Sequence, residues 1–272
     1  FVFIGGGSGV CVSPDGYIFT SQHVVGCQSR WTVRVYGTGE FYCAEVVGGD
    51  PTGDVALLKI ANARQLPWAP LADLSRARVG QWVLALGDPY KLGDQDGAPS
   101  VSLGTLCALH RYQSDPRAGK TAFYADALQT DAAVNPGSSG GPLMTLDGEL
   151  LGLTGQIMAR FGGKTNTGVA YAVRSDQLAR FFPLLKEARG GEVRHGTIPE
   201  GLELVWQPRE GTAVTPGAWV AAVGRGSPAE RAGFLRWQAL PNRYSSAWLL
   251  LGRAGMIGGI VALLCLYVSK YR

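Results

Sequence analysis

Three polar segments of the chain carry the residue types that nucleophilic catalysis requires. His23 lies in the first, Asp50 and Asp54 in the second, and Ser138 and Ser139 in the third. A serine hydroxyl becomes an effective nucleophile when a neighbouring imidazole takes its proton. A carboxylate then fixes the tautomer of the imidazole and stabilises the imidazolium that forms. The segments therefore predict a nucleophilic serine site, with the choice between the two aspartates and the two serines open.

The third segment, Gly-Ser-Ser-Gly-Gly at 137–141, also has the composition of an anion-stabilising loop. Glycines next to a nucleophile allow a sharp turn that brings backbone N–H groups close to a bound carbonyl. The amides of Gly137 and Ser139, with Ser138 between them, are candidates for such an oxyanion hole. A phosphate-binding loop would need a following Lys-Ser or Lys-Thr pair, which this segment lacks.

A fold must bring these segments together, and the composition limits which fold classes are possible. Of 272 residues, 46% are hydrophobic, 17% are charged and 39 are glycine, which excludes charge-driven disorder and indicates many turns. Alternating or apolar runs predict short strands, and the Ser-Pro-Asp-Gly turn at 13–16 predicts a hairpin. The predicted strands are 10–12, 17–20, 31–35, 41–47, 55–60, 82–86, 101–106 and 167–173, with a further pair around 146–149. Because no helices alternate with them, an all-β barrel or sandwich is favoured.

The rest of the chain divides into a helix, a linker, a small module and a tail. Ser175 is expected to cap a helix whose apolar side includes Leu178 and Leu185, and which Pro183 would shorten or kink. A linker is predicted at 189–194. Residues 247–268 form an apolar run of 22 residues interrupted by Arg253, long enough as a helix for a bilayer core of about 30 Å. A membrane span, a packed helix and a non-native tail are the alternatives for this segment.

Several other functions are not supported by the sequence. The formal charge of +4 is spread along the chain, without the dense basic stripe of a nucleic-acid-binding protein. The five cysteines show neither a Cys-x-x-Cys pair nor the Cys/His spacing of a zinc site. The other two histidines, His110 and His195, stand outside any such motif and are interpreted as structural or surface residues. We therefore expect no nucleic-acid partner, no metal and no organic cofactor.

The motifs resemble those of the HtrA/Deg family of trypsin-fold serine proteases. The similar stretches are Gly-Ser-Gly-Val at 7–10, Ser-Pro-Asp-Gly-Tyr-Ile at 13–18, the aspartate segment 50–60, and the serine segment 129–143. The resemblance implies a trypsin-like double β-barrel over residues 1–188, with the active site between the barrels. By this resemblance the catalytic triad is His23, Asp54 and Ser139. Asp50 precedes a proline and is interpreted as a turn former, whereas the motif places the nucleophile directly before Gly-Gly-Pro.

The resemblance also implies a substrate pocket. In the trypsin fold, the residue six positions before the nucleophile, here Ala133, lies at the pocket floor. The remaining predicted lining residues are Val134, Thr154, Gly155, Val169 and Ala170. Without a carboxylate there, we expect cleavage after small or medium apolar residues such as Val, Ala or Leu. For Cys11 and Cys27, which flank His23, a disulfide like that of chymotrypsin-like chains and two free buried thiols are both open.

Residues 195–236 resemble the start of the PDZ domain that follows the protease in this family. The similarity ends near Phe234, so the module is expected to be incomplete. The resemblance implies an ATP-independent endopeptidase that cleaves unfolded or damaged proteins in protein quality control, outside the cytoplasm or in the periplasm, as a homotrimer. Membrane association through 247–268 is a further expectation. The alternatives are a catalytically silent protease-like chaperone or anchored scaffold, and a viral-type processing protease.

Overall fold

The computed structural model describes residues 1–114, 123–157, 167–193, 202–205 and 219–223, together with residues 225, 227 and 231. The chain divides into two units, Phe1–Val193 and Arg194–Arg272. The first unit holds every candidate catalytic and pocket residue. The predicted apolar segment 247–268 and most of the PDZ-like segment 195–236 lie outside the described residues.

Six antiparallel strands close the first barrel of this unit. They are β1 (Val2–Ile4), β2 (Gly7–Cys11), β3 (Tyr17–Thr20), β4 (Arg30–Val35), β5 (Phe41–Asp50) and β6 (Val55–Ile60). Their order around the barrel is β1-β2-β3-β6-β5-β4. Closure comes from β1, which pairs with β2 on one side and with β4 on the other. Both sheet edges are thereby removed.

A second set of six antiparallel strands closes another barrel. They are β7 (Trp82–Gly87), β8 (Ser100–Ser114), β9 (Phe123–Thr130), β10 (Pro142–Met144), β11 (Leu150–Ile157) and β12 (Ala170–Arg174). They follow the order β10-β11-β12-β9-β8-β7, and β10 pairs with β7 to complete the ring. The predicted all-β class and trypsin-like double barrel are confirmed.

Strand β6 shows why a mainly apolar run folds here as a strand. Ala56, Leu58 and Ile60 are buried inside the first barrel. The alternate residues Val55 and Leu57 face a second cluster, which includes residues of β9, β11 and β12. Since successive side chains point to opposite faces of a strand, both faces of β6 are apolar. The core between the barrels therefore fixes the end of β6 at which Asp54 lies.

Most predicted strands of the first unit occur with shifted ends, and two strands of this unit were not predicted. The prediction for 55–60 matches β6, whereas 101–106 lengthens to 100–114 and 167–173 becomes Ala170–Arg174. Strand β1 is only three residues long, and the apolar pattern of β9 is interrupted by Asp126 and Gln129.

Among the described residues, the helices are few, and α3 alone exceeds one turn. They are α1 (Gln22–Val25), α2 (Gly93–Asp96) and α3 (Ser175–Glu187), with 3-10 turns at Leu74–Arg76 and Pro89–Lys91. The predicted cap at Ser175 is wrong, because Arg174 is the N-cap residue and Ser175 is the first helical residue. The Ser175 hydroxyl instead donates to the Ala72 carbonyl at 3.0 Å. Helix α3 continues past Pro183 to Glu187.

The second unit contributes two described strands. They are β13 (Leu202–Val205) and β14 (Trp219–Val223), which pair antiparallel with Leu202 opposite Val223. After β14, the Arg231 N–H donates to the Ser227 carbonyl at 3.1 Å, which is the i to i+4 hydrogen bond of a helical turn. Both strands lie within the PDZ-like segment 195–236. An incomplete PDZ-like module stays a prediction.

Candidate active site

His23 lies on α1, the single helical turn that follows β3. Ser21 precedes the turn with extended backbone angles, and the Val24 N–H donates back to the Ser21 carbonyl at 3.1 Å. Gly26 ends the turn with a φ of 56°, a conformation that glycine adopts readily. The His23 side chain is 44% exposed. The imidazole is therefore held by the first barrel at a surface that a substrate can reach.

Asp54 binds His23 through both its side chain and its backbone. Nδ1 of His23 lies 2.8 Å from Oδ2 of Asp54 and 2.9 Å from Oδ1. The His23 backbone N–H donates to the same Oδ1 at 2.9 Å. The carboxylate is only 5% exposed, so these hydrogen bonds replace the water it lost. A carboxylate on Nδ1 leaves Nε2 as the nitrogen that can accept a proton.

A turn initiated by Asp50 delivers Asp54 to this position. Oδ1 of Asp50 accepts the N–H groups of Thr52 and Gly53, both at 3.0 Å. Asp54 itself has a φ of 55°, which an aspartate tolerates better than most residues. This geometry agrees with the interpretation of Asp50 as a turn former rather than as the partner of the histidine.

Tyr124 is a second residue bonded to Asp54, and it was not among the predicted site residues. Its hydroxyl donates to Oδ2 of Asp54 at 2.6 Å, and the residue is 3% exposed. Burial raises the pKa of Tyr124 well above its ordinary value, and the charge of Asp54 acts in the same direction. The phenol therefore remains a proton donor at neutral pH. No local motif marks Tyr124, which lies in the unpredicted strand β9, 70 residues after Asp54.

The loop that carries Ser138 and Ser139 connects β9 to β10 and packs against the first barrel. Gly140 has a φ of 83°. A Cβ there would overlap the Ser8 carbonyl and the Thr20 hydroxyl, and would lie 2.7 Å from the Ser21 backbone nitrogen. Ser21 is the N-cap residue of the helical turn that carries His23. The glycine after Ser139 thus allows the loop to lie directly against the chain that leads into His23.

The Ser139 hydroxyl donates to the carbonyl of Gly155 at 3.2 Å. Within the described ranges, this is its one side-chain hydrogen bond, so proton transfer to His23 requires rotation of the hydroxyl away from Gly155. The Ser139 carbonyl accepts the Ser8 N–H at 2.9 Å. The backbone of the candidate nucleophile is thus anchored on β2, while its side chain has a weaker contact on β11.

The predicted oxyanion amides differ in their availability. The Ser138 N–H donates to the Asn135 carbonyl at 2.9 Å, so it is used within the turn. Among the residues that the structure describes, the N–H groups of Gly137 and Ser139 donate to no protein atom. The Pro136 carbonyl accepts the N–H of Tyr90 at 2.9 Å, and across a trans peptide the Gly137 N–H points the opposite way. Two backbone donors beside Ser139 are therefore free to bind an anion.

A match to a known domain family identifies the family of the chain. The trypsin-like peptidase domain matches residues 7–153, which include the His23, Asp54 and Ser139 segments. The chain belongs to the trypsin-like peptidase family.

Proteins with similar sequences are of the HtrA/Deg type. The chain is 36% identical over 234 residues to a probable periplasmic serine endoprotease DegP-like from Chlamydia pneumoniae, covering 84% of this chain and 44% of the relative. A DegP-like protein of Rhizobium meliloti (strain 1021) is 35% identical over 235 residues, with 84% and 42% covered. The chain thus spans less than half the length of these curated relatives.

Solved structures point the same way. The HtrA-type protease AlgW with a decapeptide is 31% identical, with a TM-score of 0.61 over 85% of this chain and 67% of that chain. AlgW with a tripeptide is 30% identical, with a TM-score of 0.63 over 85% and 72%. The predicted resemblance to HtrA/Deg serine proteases is confirmed.

In this trypsin-like peptidase, a cavity of about 100 Å³ opens beside the oxyanion loop. Its lining is uncharged and consists of Ala85, Leu86, Gly87, Pro89, Ser100, Val101, Ser102, Ala133, Asn135 and Ser138. Ala133 is the one predicted pocket residue in this lining. It is exposed, as a residue that meets a substrate side chain should be.

The other predicted pocket residues lie elsewhere in the second barrel. Val134 and Ala170 are buried in its core. Thr154 is also buried, and its hydroxyl donates to the carbonyls of Ser138 and Gly141, each at 3.0 Å. Gly155 contacts the Ser139 hydroxyl through its carbonyl. Val169 is partly buried against the cluster between the barrels.

His110 also pairs with a carboxylate, but in a different environment. Its Nδ1 lies 2.5 Å from Oδ1 of Asp126, and Arg174 contacts both residues. Burial raises the pKa of Asp126, opposed by the positive charge of Arg174. This second pair is bonded to an arginine rather than placed beside a serine. The interpretation of His110 as a structural residue fits this geometry.

The cysteines of the trypsin-like domain are unpaired. Cys11, Cys27, Cys43 and Cys107 are free thiols. Of the two alternatives for Cys11 and Cys27, the disulfide is wrong, although only Cys11 is buried and Cys27 is exposed. Among the described residues, no helix combines the length and apolar character needed to cross a membrane.

Proposed function

We propose that the chain is a serine endopeptidase in which Ser139 is the nucleophile, His23 the general base and Asp54 the residue that orients His23. The observation that carries this proposal is the Asp54 carboxylate, which is 5% exposed and bonded to both the ring and the backbone of His23. Burying a carboxylate is costly unless it is bonded, and this one is bonded to an imidazole that remains accessible. Such an arrangement supplies a histidine with a defined tautomer next to the serine loop.

The reaction begins when the Ser139 hydroxyl rotates from the Gly155 carbonyl toward Nε2 of His23. As Oγ attacks the substrate carbonyl, its proton passes to Nε2, and Asp54 stabilises the imidazolium. When the tetrahedral intermediate collapses, the imidazolium gives the proton to the leaving amine and the C–N bond breaks. A water molecule, activated by the same imidazole, then hydrolyses the acyl-enzyme and regenerates Ser139.

The N–H groups of Gly137 and Ser139 would stabilise the oxyanion of each tetrahedral intermediate. Backbone donors of this kind are worth most where charge develops in the transition state. Ser138 spaces these two donors, since its own N–H is bonded to Asn135. The carbonyls of Pro136 and Gly137 accept hydrogen bonds from the Tyr90 N–H and the Ser8 hydroxyl. These bonds support the proposed orientation of the two amides.

For specificity, we propose that Ala133 forms the floor of the primary pocket. The uncharged lining of the cavity at Ala133 supports a preference for small or medium apolar residues. A basic side chain would be buried there without a carboxylate partner, which costs binding energy.

The names of the relatives support a proposal for the substrates and the location of this chain. Two of them are named as probable periplasmic endoproteases, and AlgW was solved with peptides bound. We propose that this chain cleaves unfolded or damaged proteins without ATP in the periplasm or cell envelope, as part of protein quality control. A homotrimer and membrane association through 247–268 belong to the same proposal. Light scattering tests the trimer, and release into the soluble fraction on a carbonate wash would remove the membrane association.

A fluorophosphonate probe tests the activity directly, because it reacts only with an activated serine. Labelling is expected in the unmodified chain and should disappear in Ser139→Ala, while Ser138→Ala should still be labelled. Loss of labelling in Ser138→Ala but not in Ser139→Ala would reverse the assignment of the nucleophile. Cleavage of an unfolded protein substrate should follow the same pattern.

The alternative function is a catalytically silent protease-like chaperone or scaffold. The hydrogen bond from the Ser139 hydroxyl to Gly155 favours it, because that bond holds the hydroxyl proton away from His23. If the well-folded chain takes no probe yet still suppresses aggregation of unfolded clients, this alternative replaces the endopeptidase.

A further inference from the structure

The phenol of Tyr124 lies between two parts of the candidate site. Its oxygen is 2.6 Å from Oδ2 of Asp54 on one side. On the other side it lies against Gly155, whose carbonyl accepts the Ser139 hydroxyl. One buried side chain on β9 therefore touches the partner of His23 and the strand segment that contacts the candidate nucleophile.

Gly155 lacks a side chain at the place that Tyr124 occupies. A Cβ at Gly155 would overlap the Tyr124 hydroxyl and would lie 2.8 Å from its Cζ and 3.1 Å from its Cε1. Real Cβ atoms do not approach ring carbons this closely. The φ of Gly155 is not in the left-handed region, so its backbone does not itself require glycine. The phenol of Tyr124 thus occupies the space that a side chain at position 155 would need.

The Tyr124 hydroxyl gives the Asp54 carboxylate a donor that does not belong to His23. His23 itself bonds both carboxylate oxygens, through its backbone N–H at Oδ1 and through Nδ1 at Oδ2. The Tyr124 hydroxyl adds a hydrogen bond to Oδ2 from the second barrel. Because this donor lies on β9, it holds the carboxylate independently of the imidazole that the carboxylate orients.

We propose that Tyr124 is a positioning residue that holds the Asp54 carboxylate toward His23, and that Gly155 is required because it makes room for this phenol. The proposal rests on the proposed endopeptidase function. Tyr124 does not touch the substrate in this scheme. Its removal should therefore lower kcat while leaving KM nearly unchanged.

The first test is Tyr124→Phe, which keeps the ring and removes only the oxygen. Losing a hydrogen bond to a charged group should lower kcat about tenfold. Thermal unfolding checks that the variant is folded. A kcat within twofold of the unmodified chain would overturn the proposal. If instead the unmodified chain has no activity and takes no fluorophosphonate, the proposed function has failed rather than this inference.

A second pair of variants separates positioning from packing. In a Tyr124→Leu background, Gly155→Ser places a hydroxyl near the position of the lost phenol oxygen, while Gly155→Ala fills the same space without a hydroxyl. We expect the serine variant to recover a large part of kcat relative to the alanine variant at similar thermal stability. Equal kcat in the two would show that only packing matters.

A spectroscopic measurement makes the inference testable without turnover. The proton between Nδ1 of His23 and Asp54 should give a downfield ¹H NMR resonance that is lost in Asp54→Asn. In Tyr124→Phe this resonance should shift or broaden, because the carboxylate loses a donor on Oδ2. An unchanged position and linewidth would contradict the positioning role, whether or not the chain is an active enzyme.

Discussion

The hydroxyl of Ser8 donates to the carbonyl of Gly137 at 2.8 Å, although 129 positions separate the two residues. The same oxygen accepts the N–H of Asp88 at 3.0 Å, and the Ser8 N–H donates to the Ser139 carbonyl at 2.9 Å. Ser8 is fully buried in β2 of the first barrel, while its partners belong to the second-barrel segment. One serine thus connects the first barrel to Gly137 and Ser139, the two residues whose amides are proposed to bind the oxyanion.

Replacing Ser8 with alanine should weaken catalysis more than binding. The substitution leaves the Gly137 carbonyl and the Asp88 N–H without a partner, so the peptide that carries one oxyanion residue is less well held. Since a neutral hydrogen bond contributes about 0.5–1.5 kcal/mol, kcat should fall by roughly threefold to tenfold at similar KM. Steady-state kinetics check this. Ser13→Ala, which removes a hydroxyl bonded to the Tyr17 N–H in the same barrel, should leave kcat unchanged.

Asp54→Asn should reduce kcat far more strongly. An asparagine amide can direct its NH₂ group at Nδ1, which favours the tautomer with the proton on Nε2 and removes the general base. The expected loss is about 10⁴-fold. The same substitution should add little in a Ser139→Ala background, because members of one catalytic unit are not additive. Asp147→Asn, at an exposed position, is the control. A loss of kcat of less than tenfold in Asp54→Asn would contradict the role of Asp54.

The stability of the chain should depend on Tyr124 at alkaline pH. Burial raises the pKa of Tyr124 well above the ordinary 10.0, so above pH 10 the unfolded chain loses this proton while the folded chain keeps it. The stability due to Tyr124 is therefore fully present below about pH 10 and is lost above it, by about 1.4 kcal/mol per pH unit.

This alkaline loss is measured as the difference in free energy of unfolding between the unmodified chain and Tyr124→Phe. The difference should be constant from about pH 8 to 10 and should then change in favour of Tyr124→Phe. Contributions of the other tyrosines cancel in the difference. A difference that stays flat to about pH 11 would mean that the phenol ionises in the folded state as it does in water.

Ala133→Asp should change the specificity of the endopeptidase. The unmodified chain should prefer peptides with Val, Ala or Leu before the cleaved bond, whereas a carboxylate at 133 can pair with a basic side chain. A panel of peptides that differ only at this residue should show kcat/KM rising for Arg and falling for Val. Ala133→Asn controls for size and polarity without charge. No gain for Arg would argue against Ala133 as the pocket floor.

The catalytic candidates could be predicted because each lies in a short sequence motif whose residue types indicate its chemistry. Asp54 directly precedes an apolar strand, and Ser139 lies in a glycine-rich loop directly before Gly-Gly-Pro. The double barrel was predicted from the family resemblance, whereas strands such as 55–60 predicted only an all-β barrel or sandwich. Ser175 was misassigned because the same residue type serves as a cap or as a buried donor, depending on what packs beside it.

Residue types and their order along the chain thus determined the kind of chemistry and the all-β class. Only the tertiary structure decided which groups support that chemistry. Tyr124 reaches Asp54 across 70 positions, and Ser8 reaches Gly137 across 129. Contacts of this kind depend on barrel closure and on the packing of one barrel against the other, which bring together residues that no local pattern relates.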